Sequence, residues 1–567
     1  MKKITTYYIC ALLCVSILSC KKAFLDKAPG IDVTENTLFS SKSELEIYVT
    51  SLYRHGIHHG YCTEDRSLTN AASYDISAGA TDEAEYAVSW LVSQRWNSGN
   101  IDANDIVNLE DYRFYLRWTA IRMSNIILER TGEVPGLDDA YRNQVLGEAK
   151  FVRALNYMEM VKRYGGVPIV DKRFQLTDDL KVPRSSIEDC FNFIVNDCTD
   201  AIALLPSTYP STMRGRATKG AAMMLKARAL LYAASPLFNT AQPYLNFGEN
   251  NKLICYGNED KNRWQLAADA AKAVIDWAPA AGVILITDKG VNLNYKYEWS
   301  TPDNAEVIFA NKSFGPRSPW ELPWAVMKPN EIVNPGWGGL WATHNFVRKY
   351  EKKDGTPQTW SATGGNDLMK KYDELDPRFK QTIAYHGSYW NRETPVMDCI
   401  NGNSIGSWMH KLIPETLDNG SPQIPSWQIF RLAEAYLNYA EALNEAQGPL
   451  PAAYDAVNII RKRSGMPDLP TGLNQDQFRL RVRNERDIEL AYEDQRFWDI
   501  RRWMIAENDG VMKGNFWGLK LSEVPNSTEI RYVPYVYEVR TFLRKMYLHP
   551  FITSEVNKGD LVQNPGW

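Results

Sequence analysis

The chain has 567 residues and a formal charge of −4 from 64 basic and 68 acidic side chains, which leaves no basic surplus to neutralise phosphates and excludes nucleic acid as the main partner. Hydrophobic residues at 44% and charged residues at 23% sit near globular averages, so a disordered or fibrous chain is excluded. A mean hydropathy of −0.39, with no second long apolar run after the N-terminus, excludes a multi-span membrane protein.

Lys2 and Lys3 precede an apolar run, Tyr7 to Ser19, that is too short to span a bilayer and ends at Cys20. This is the layout of a secretory signal. The ending ILSC resembles a lipobox, which implies that the mature chain begins at Cys20, acylated there and followed by Lys21 and Lys22; residues 1–19 are then signal peptide. Of the remaining cysteines (Cys62, Cys190, Cys198, Cys255, Cys399) the number is odd, with no CxxC and no zinc spacing. Cys190 and Cys198 share one expected helix, ~12 Å apart along its axis, too far to bridge. These thiols read as small buried hydrophobes. His55, His58 and His59 read as a hydrated helix end rather than a metal site, and no cofactor is expected.

The first helical patterns are Ser43–Tyr53 and Tyr112–Glu129. Residues 146–164 then place Phe151, Ala154, Leu155, Met158 and Val161 on one face, and Ser186–Leu205 follows. In 218–235 the stripe is Ala222, Leu225, Ala229, Tyr232 and Ala233; Trp264–Trp277 comes next. After a long interval, 429–446 carries Ile429, Leu432, Ala433, Tyr436, Leu437, Ala440 and Leu443, followed by Ala452–Arg463 and Gln475–Trp503. The three strongest helices each hold Ala-x-x-Tyr (Ala154/Tyr157, Ala229/Tyr232, Ala433/Tyr436), where the small residue admits a neighbouring helix and the ring fills its groove. The expected fold is mostly α: a tetratricopeptide-like helical-repeat scaffold, with repeats at about 40–278 and 426–504 and a single domain over 20–567.

Between about 279 and 425 helical periodicity fades, Gly, Pro and Asn become frequent, and eight of the 18 Trp occur. Long loops of this kind are usually functional, so this insertion is expected to carry the ligand site. Two regions combine rings with polar groups, a flat ring for an apolar ligand face and hydrogen-bonding groups beside it. One is 74–100, read as a loop after the first helix, with Asp75, Asp82, Glu83, Trp96 and Asn97. The other is 313–341, with Arg317, Trp320, Trp324, Trp337 and Trp341 among Gly and Pro; Trp390 is a further candidate. Trp118, Trp264, Trp277, Trp427, Trp498 and Trp503 fall on expected helices and default to packing. Glu485, Glu489 and Glu493 form a helical row with arginines alongside, the pattern of an ion-pair network rather than a catalytic set.

Seven segments in order resemble the SusD/RagB family of nutrient-binding outer-membrane lipoproteins: FLDKAP (24–29), KRYGGVP (162–168), ASPLFN (234–239), NFVRKYEKKDG (345–355), DPRFKQTI (376–383), NERDIELAYEDQRFWDIRRW (484–503) and LHPFITSEVNKGDLVQNPGW (548–567). The resemblance implies a non-catalytic, lipid-anchored protein on the cell surface. It would capture oligosaccharide or polysaccharide and pass it to a SusC-like TonB-dependent transporter, which it covers as a lid. The alternatives are peptide or other nutrient capture by the same lid, a purely structural module bound to the transporter, or a surface glycoside hydrolase, which needs two carboxylates ~5–10 Å apart in a cleft.

Overall fold

The computed structural model describes residues 35–57, 77–106, 113–175, 177–312, 329, 338–391, 394–402, 404–413 and 426–567. The periodic segments are helices: α1 (Lys42–Gly56), α2 (Phe114–Arg130), α3 (Asp139–Tyr164), α4 (Ile187–Leu204), α5 (Lys219–Ala234), α6 (Asn262–Trp277), α7 (Leu432–Gln447), α8 (Pro451–Arg463), α9 (Gln475–Glu489) and α10 (Arg496–Arg502). Their starts are set by side-chain caps. Asp138, Ser186 and Thr218 accept the backbone N–H of the third residue beyond them, and Asn474 forms a reciprocal capping box with Gln477.

From α2 to α7 each helix packs on the next, so the repeat scaffold is a continuous stack; α7 lies against α6 although residues 278–431 separate them in sequence, and α8 and α9 both pack on α7. The fold is mostly helical, as the periodicity indicates. Small residues set the spacing. A Cβ on Gly220 would sit 2.0 Å from the Trp277 ring, and one on Gly56 would sit 2.3 Å from Val152, so α5 meets α6, and α1 meets α3, at a distance only glycine permits. Among the described residues no helix is long and apolar enough to cross a membrane.

The strands lie mostly in the interval between α6 and α7. β1 (Ala84–Tyr86), β3 (Leu340–Ala342), β4 (Ile383–Tyr385) and β5 (Ser407–Met409) form an antiparallel sheet in the order β1-β3-β5-β4. β2 (Val307–Asn311) pairs with β6 (Trp427–Arg431), and β7 (Gly514–Glu523) with β8 (Ile530–Arg540) forms a long hairpin. Two readings of the sequence are corrected here. The helix expected from 429 begins at 432, because Trp427–Arg431 is strand, so Trp427 packs from a strand. The helix expected over 475–503 is broken: Tyr492 and Asp494 have φ of 62° and 59°, a conformation that costs non-glycine residues about 1–2 kcal/mol. Contacts from outside the helix hold the break. The Glu83 carboxylate accepts the Tyr492 N–H at 2.9 Å, and the Ser77 hydroxyl donates to Asp494.

Several of the quoted motifs are junctions. In KRYGGVP, α3 ends at Tyr164, Gly165 turns at φ 74°, and a Cβ on Gly166 would lie 2.1 Å from the Ser185 carbonyl oxygen. In ASPLFN, Ser235 accepts from Arg502 and the Leu237 N–H donates to the Arg502 carbonyl. In the C-terminal motif, Asn564 donates to the Tyr164 and His549 carbonyls, while the Trp567 indole donates to Lys545 and Leu548. The chain end is thus a packed turn. Cys190, Cys198, Cys255 and Cys399 are buried free thiols.

Candidate functional site

Of the acids and rings expected to meet a ligand, most of those among the described residues point inward. Segment 77–100 is not an open loop but a 3-10 turn (Ser77–Ala80), β1 and a short helix (Val92–Ser98). Asp82 is 1% exposed; Arg496 Nε and Nη2 each reach it at 2.8 Å and Lys349 Nζ at 2.7 Å. Burial alone would raise its pKa, but these two cations overcome it and hold the carboxyl well below its usual range. Glu83, next in sequence and also buried, has no such pair among the described residues. Burial pushes it up to about 8, and the Tyr492 N–H offsets only part of that. Asn97 donates to the Gly79 carbonyl and to Glu85, which is itself paired with Arg540. Trp96 lies edge-on to Phe497, beside His549 and under the Arg501 guanidinium. Trp390 is buried with its ring 5.3 Å from His410. A stacking platform needs a free ring face, and neither Trp96 nor Trp390 offers one. Asp75, Arg317, Trp320, Trp324, Trp337 and Cys20 lie outside the described residues, as do His58 and His59.

The glutamate row lies in a buried ionic network. Glu485 accepts from Arg378 and Arg461, Glu489 from Arg378, Arg431 and Arg463, and Glu493 from Arg431 and Lys411. The partners come not from the same helix, as the spacing indicates, but from DPRF, β6, α8 and the segment after β5. Burial pushes the Glu489 carboxyl up, and its three arginines prevail and hold it well below the ordinary range. A carboxylate fixed by three guanidiniums is neither a general base nor a nucleophile with a free lone pair.

What the structure does bring together, outside those positions, is the lining of a surface groove. Ile57, the last described residue before 58–76, and Lys312, the last before 313–328, line the same surface groove. Beyond those stretches the chain meets again, with Glu85 of β1 opposite Trp341 of β3 and Trp341 opposite Trp408 of β5. Trp341 is half-buried; its indole and that of Trp408 donate to one carbonyl, Gly338, at 3.0 and 2.9 Å. Trp90, just past β1, is 45% exposed.

The groove has two adjoining lobes of about 300 and 320 Å³ that share Arg214, Arg216, Phe309 and Lys312. Tyr53 of α1 lines one lobe, Tyr209 and Trp277 the other. Volumes near 300 Å³, with rings and a few convergent polar groups, fit a small ligand or one segment of a chain. The sequence reading missed this site. Its residues come from α1, the 205–218 segment, α6 and β2, and the one visible signal was an aromatic, Tyr209, among Pro, Ser and Gly with two arginines close behind. Trp277, assigned to packing, does pack on Gly220 but also walls the groove.

Two family models match, one described as "SusD family" over residues 291–567 and one as "Starch-binding associating with outer membrane" over residues 23–231. The chain belongs to the SusD family. The SusD-like protein P25 of Formosa agariphila is 23% identical over 97% of this chain and 98% of its own. The starch-binding protein SusD of Bacteroides thetaiotaomicron is 23% identical over 61% of this chain and 63% of its own. The crystal structure of a SusD-like protein from Bacteroides fragilis superposes with a TM-score of 0.77 at 28% identity, covering 95% of this chain and all of that one. The SusD family is one of carbohydrate-binding, outer-membrane-associated proteins. The segments that carry the resemblance, around DPRF, NERD and the closing NPGW, hold residues seen above in the ionic network and the terminal turn.

Proposed function

We propose that this SusD-family chain captures oligo- or polysaccharide at the cell surface, tethered by lipid at Cys20, and delivers it without cleavage to a SusC-like TonB-dependent transporter over which it closes. The observation that supports this most directly is a surface groove walled by Tyr53, Tyr209 and Trp277 with polar groups beside the rings. Arg317, Trp320, Trp324, Trp337, Trp341 and Asp75 are the rings and polar groups by which this reading expects sugar to be held. Binding rather than catalysis is supported by the state of the carboxylates. Those in the glutamate row are each held by cations, and Asp303, the sole carboxylate among the described residues lining the groove, is engaged by Lys312. Stacking of rings on sugar faces gives weak to moderate affinity per contact, which suits capture and release.

The test is retention in native gels containing a panel of polysaccharides, with alanine at Trp320, Trp324 and Trp341. Retention lost in those variants is the expected result. Binding of peptides with no retention by any polysaccharide would move the ligand to the peptide class, and release of shortened products from a bound glycan would overturn the non-catalytic reading.

A further inference from the structure

The charge of the groove is out of character with the chain. Acidic side chains outnumber basic ones overall, 68 to 64, yet of the charged residues lining the two lobes three are basic (Arg214, Arg216, Lys312) and one is acidic (Asp303). Arg216 is already matched by Glu148, at 2.9 Å, and by Glu46. The other two share a single carboxylate: Lys312 is paired with Asp303 Oδ1, while the Arg214 guanidinium stands 3.9 Å from Oδ2 with its side chain 60% exposed. Among the described residues this trio therefore carries one positive charge in excess, on the wall of the groove. The Trp277 indole N–H finds no acceptor among the described residues.

Resting on the glycan-binding reading, we propose that the groove recognises an acidic sugar, a uronate or a sulfated residue, whose anionic group sits between Arg214 and Lys312 in competition with Asp303. The planar guanidinium can take two oxygens of a carboxylate or sulfate side by side while the ammonium supplies a point charge. Tyr209 and Trp277 offer ring surface beside it.

Asp303 provides a sharp test because it lies at φ 58°, a conformation asparagine tolerates well. Asp303→Asn therefore keeps the turn and removes the competing charge. The probes are polygalacturonate and alginate, each beside its carboxyl-reduced form, and carrageenan beside its desulfated form, titrated into the full-length protein at low and high salt. The expected result is that at least one acidic polymer binds about tenfold more tightly than its neutralised counterpart, as loss of a charge-assisted contact implies, with a preference that shrinks in high salt. Carboxylate and sulfate arms identify which anion is read. Arg214→Ala with Lys312→Ala should abolish the preference, so that acidic and neutralised polymers bind alike, whereas Asp303→Asn should strengthen acidic binding several-fold. Opposite signs at adjacent positions cannot come from damage to the fold. Equal binding of charged and neutralised forms, or a preference that survives the double variant, overturns this inference alone. Absence of binding to any glycan, acidic or neutral, overturns it together with the reading beneath it.

Discussion

Glu489→Gln separates a scaffold role from a chemical one for the most conspicuous acid in the chain. The side chain is fully buried and accepts from Arg378 at 3.1 Å, from Arg431 at 2.7 Å and from Arg463. Glutamine keeps the volume and one acceptor oxygen but withdraws the charge that holds three guanidiniums together. A unit charge about 4 Å away is worth about 4 kcal/mol at an effective dielectric near 20, and breaking one side of a buried ion pair costs about 3–5 kcal/mol in practice. Set against a total stability of about 5–15 kcal/mol, the variant should lose about a fifth of it or more, read as a lowered urea midpoint with an unchanged slope. The pH dependence has a definite sign. Because the folded carboxyl is held below its ordinary value, its contribution is full above the unfolded carboxylate range and is lost as pH falls below about 4.5; the variant should lack that component of acid destabilisation. The folded fraction should bind glycan as the parent does. An unchanged urea midpoint together with lost binding or lost product release would refute the scaffold reading and reopen a catalytic one.

Glu83 behaves in the opposite sense. Its folded pKa, about 8, lies above the unfolded value, so the stability it lends is full below about pH 4.5 and is lost as pH rises toward and through 8, by about 1.4 kcal/mol for each pH step crossed; Glu83→Gln, which imitates the protonated acid, should flatten that limb in urea titrations run from pH 5 to 9. Gly220→Ala places a methyl 2.0 Å from the Trp277 ring, and the overpacking should cost about 1–3 kcal/mol while displacing a wall of the groove, so calorimetry should show weakened glycan binding along with a lower midpoint. Trp96→Ala and Trp341→Ala should differ in kind. The first empties a buried ring site and should cost about 3–5 kcal/mol with little change in affinity of the folded protein, whereas the second should lower affinity with a smaller stability loss.

The helices were legible in the sequence because each carries its own pattern. α3, α5 and α7 show apolar residues at helical spacing over many turns, and the match to the structure is within three residues at each end except for the start of α3, which lies at 139 rather than 146. What was illegible depends on distant partners. Tyr492 and Asp494 sit inside a run that reads as helix, and only the approach of Ser77 and Glu83 makes the break. Asp82 and Glu83 looked like ligand contacts because acids beside aromatics in a Gly-containing stretch usually face water. Their actual partners lie 414 and 267 residues away for Asp82, and 409 away for Glu83. The strand Trp427–Arg431 was absorbed into the following helix because five residues of alternation do not stand out against an Ala-rich run. The glutamate row was read correctly as ionic, but its arginines were sought on the same helix, since spacing reports only local neighbours.

The division of labour among the charged residues follows from that geometry. Segments by which the chain resembles its family supply Arg378, Glu485, Glu489, Arg496 and Arg502, and all of these are spent on one another or on Asp82, Asp376, Arg431, Glu441, Arg461, Arg463, Asp487 and Asp499 in the interior. A buried network tolerates little change, because removing one member strands the rest without solvation, so such residues specify the scaffold and say nothing of the ligand. Arg214, Lys312 and Asp303 stand outside those segments, on the surface, where exchanging a charge costs little stability. Ligand choice can therefore vary in this fold without disturbing the stack of helices. For the same reason, comparison at about 23–28% identity reports the architecture faithfully while leaving the sugar to be read from the groove.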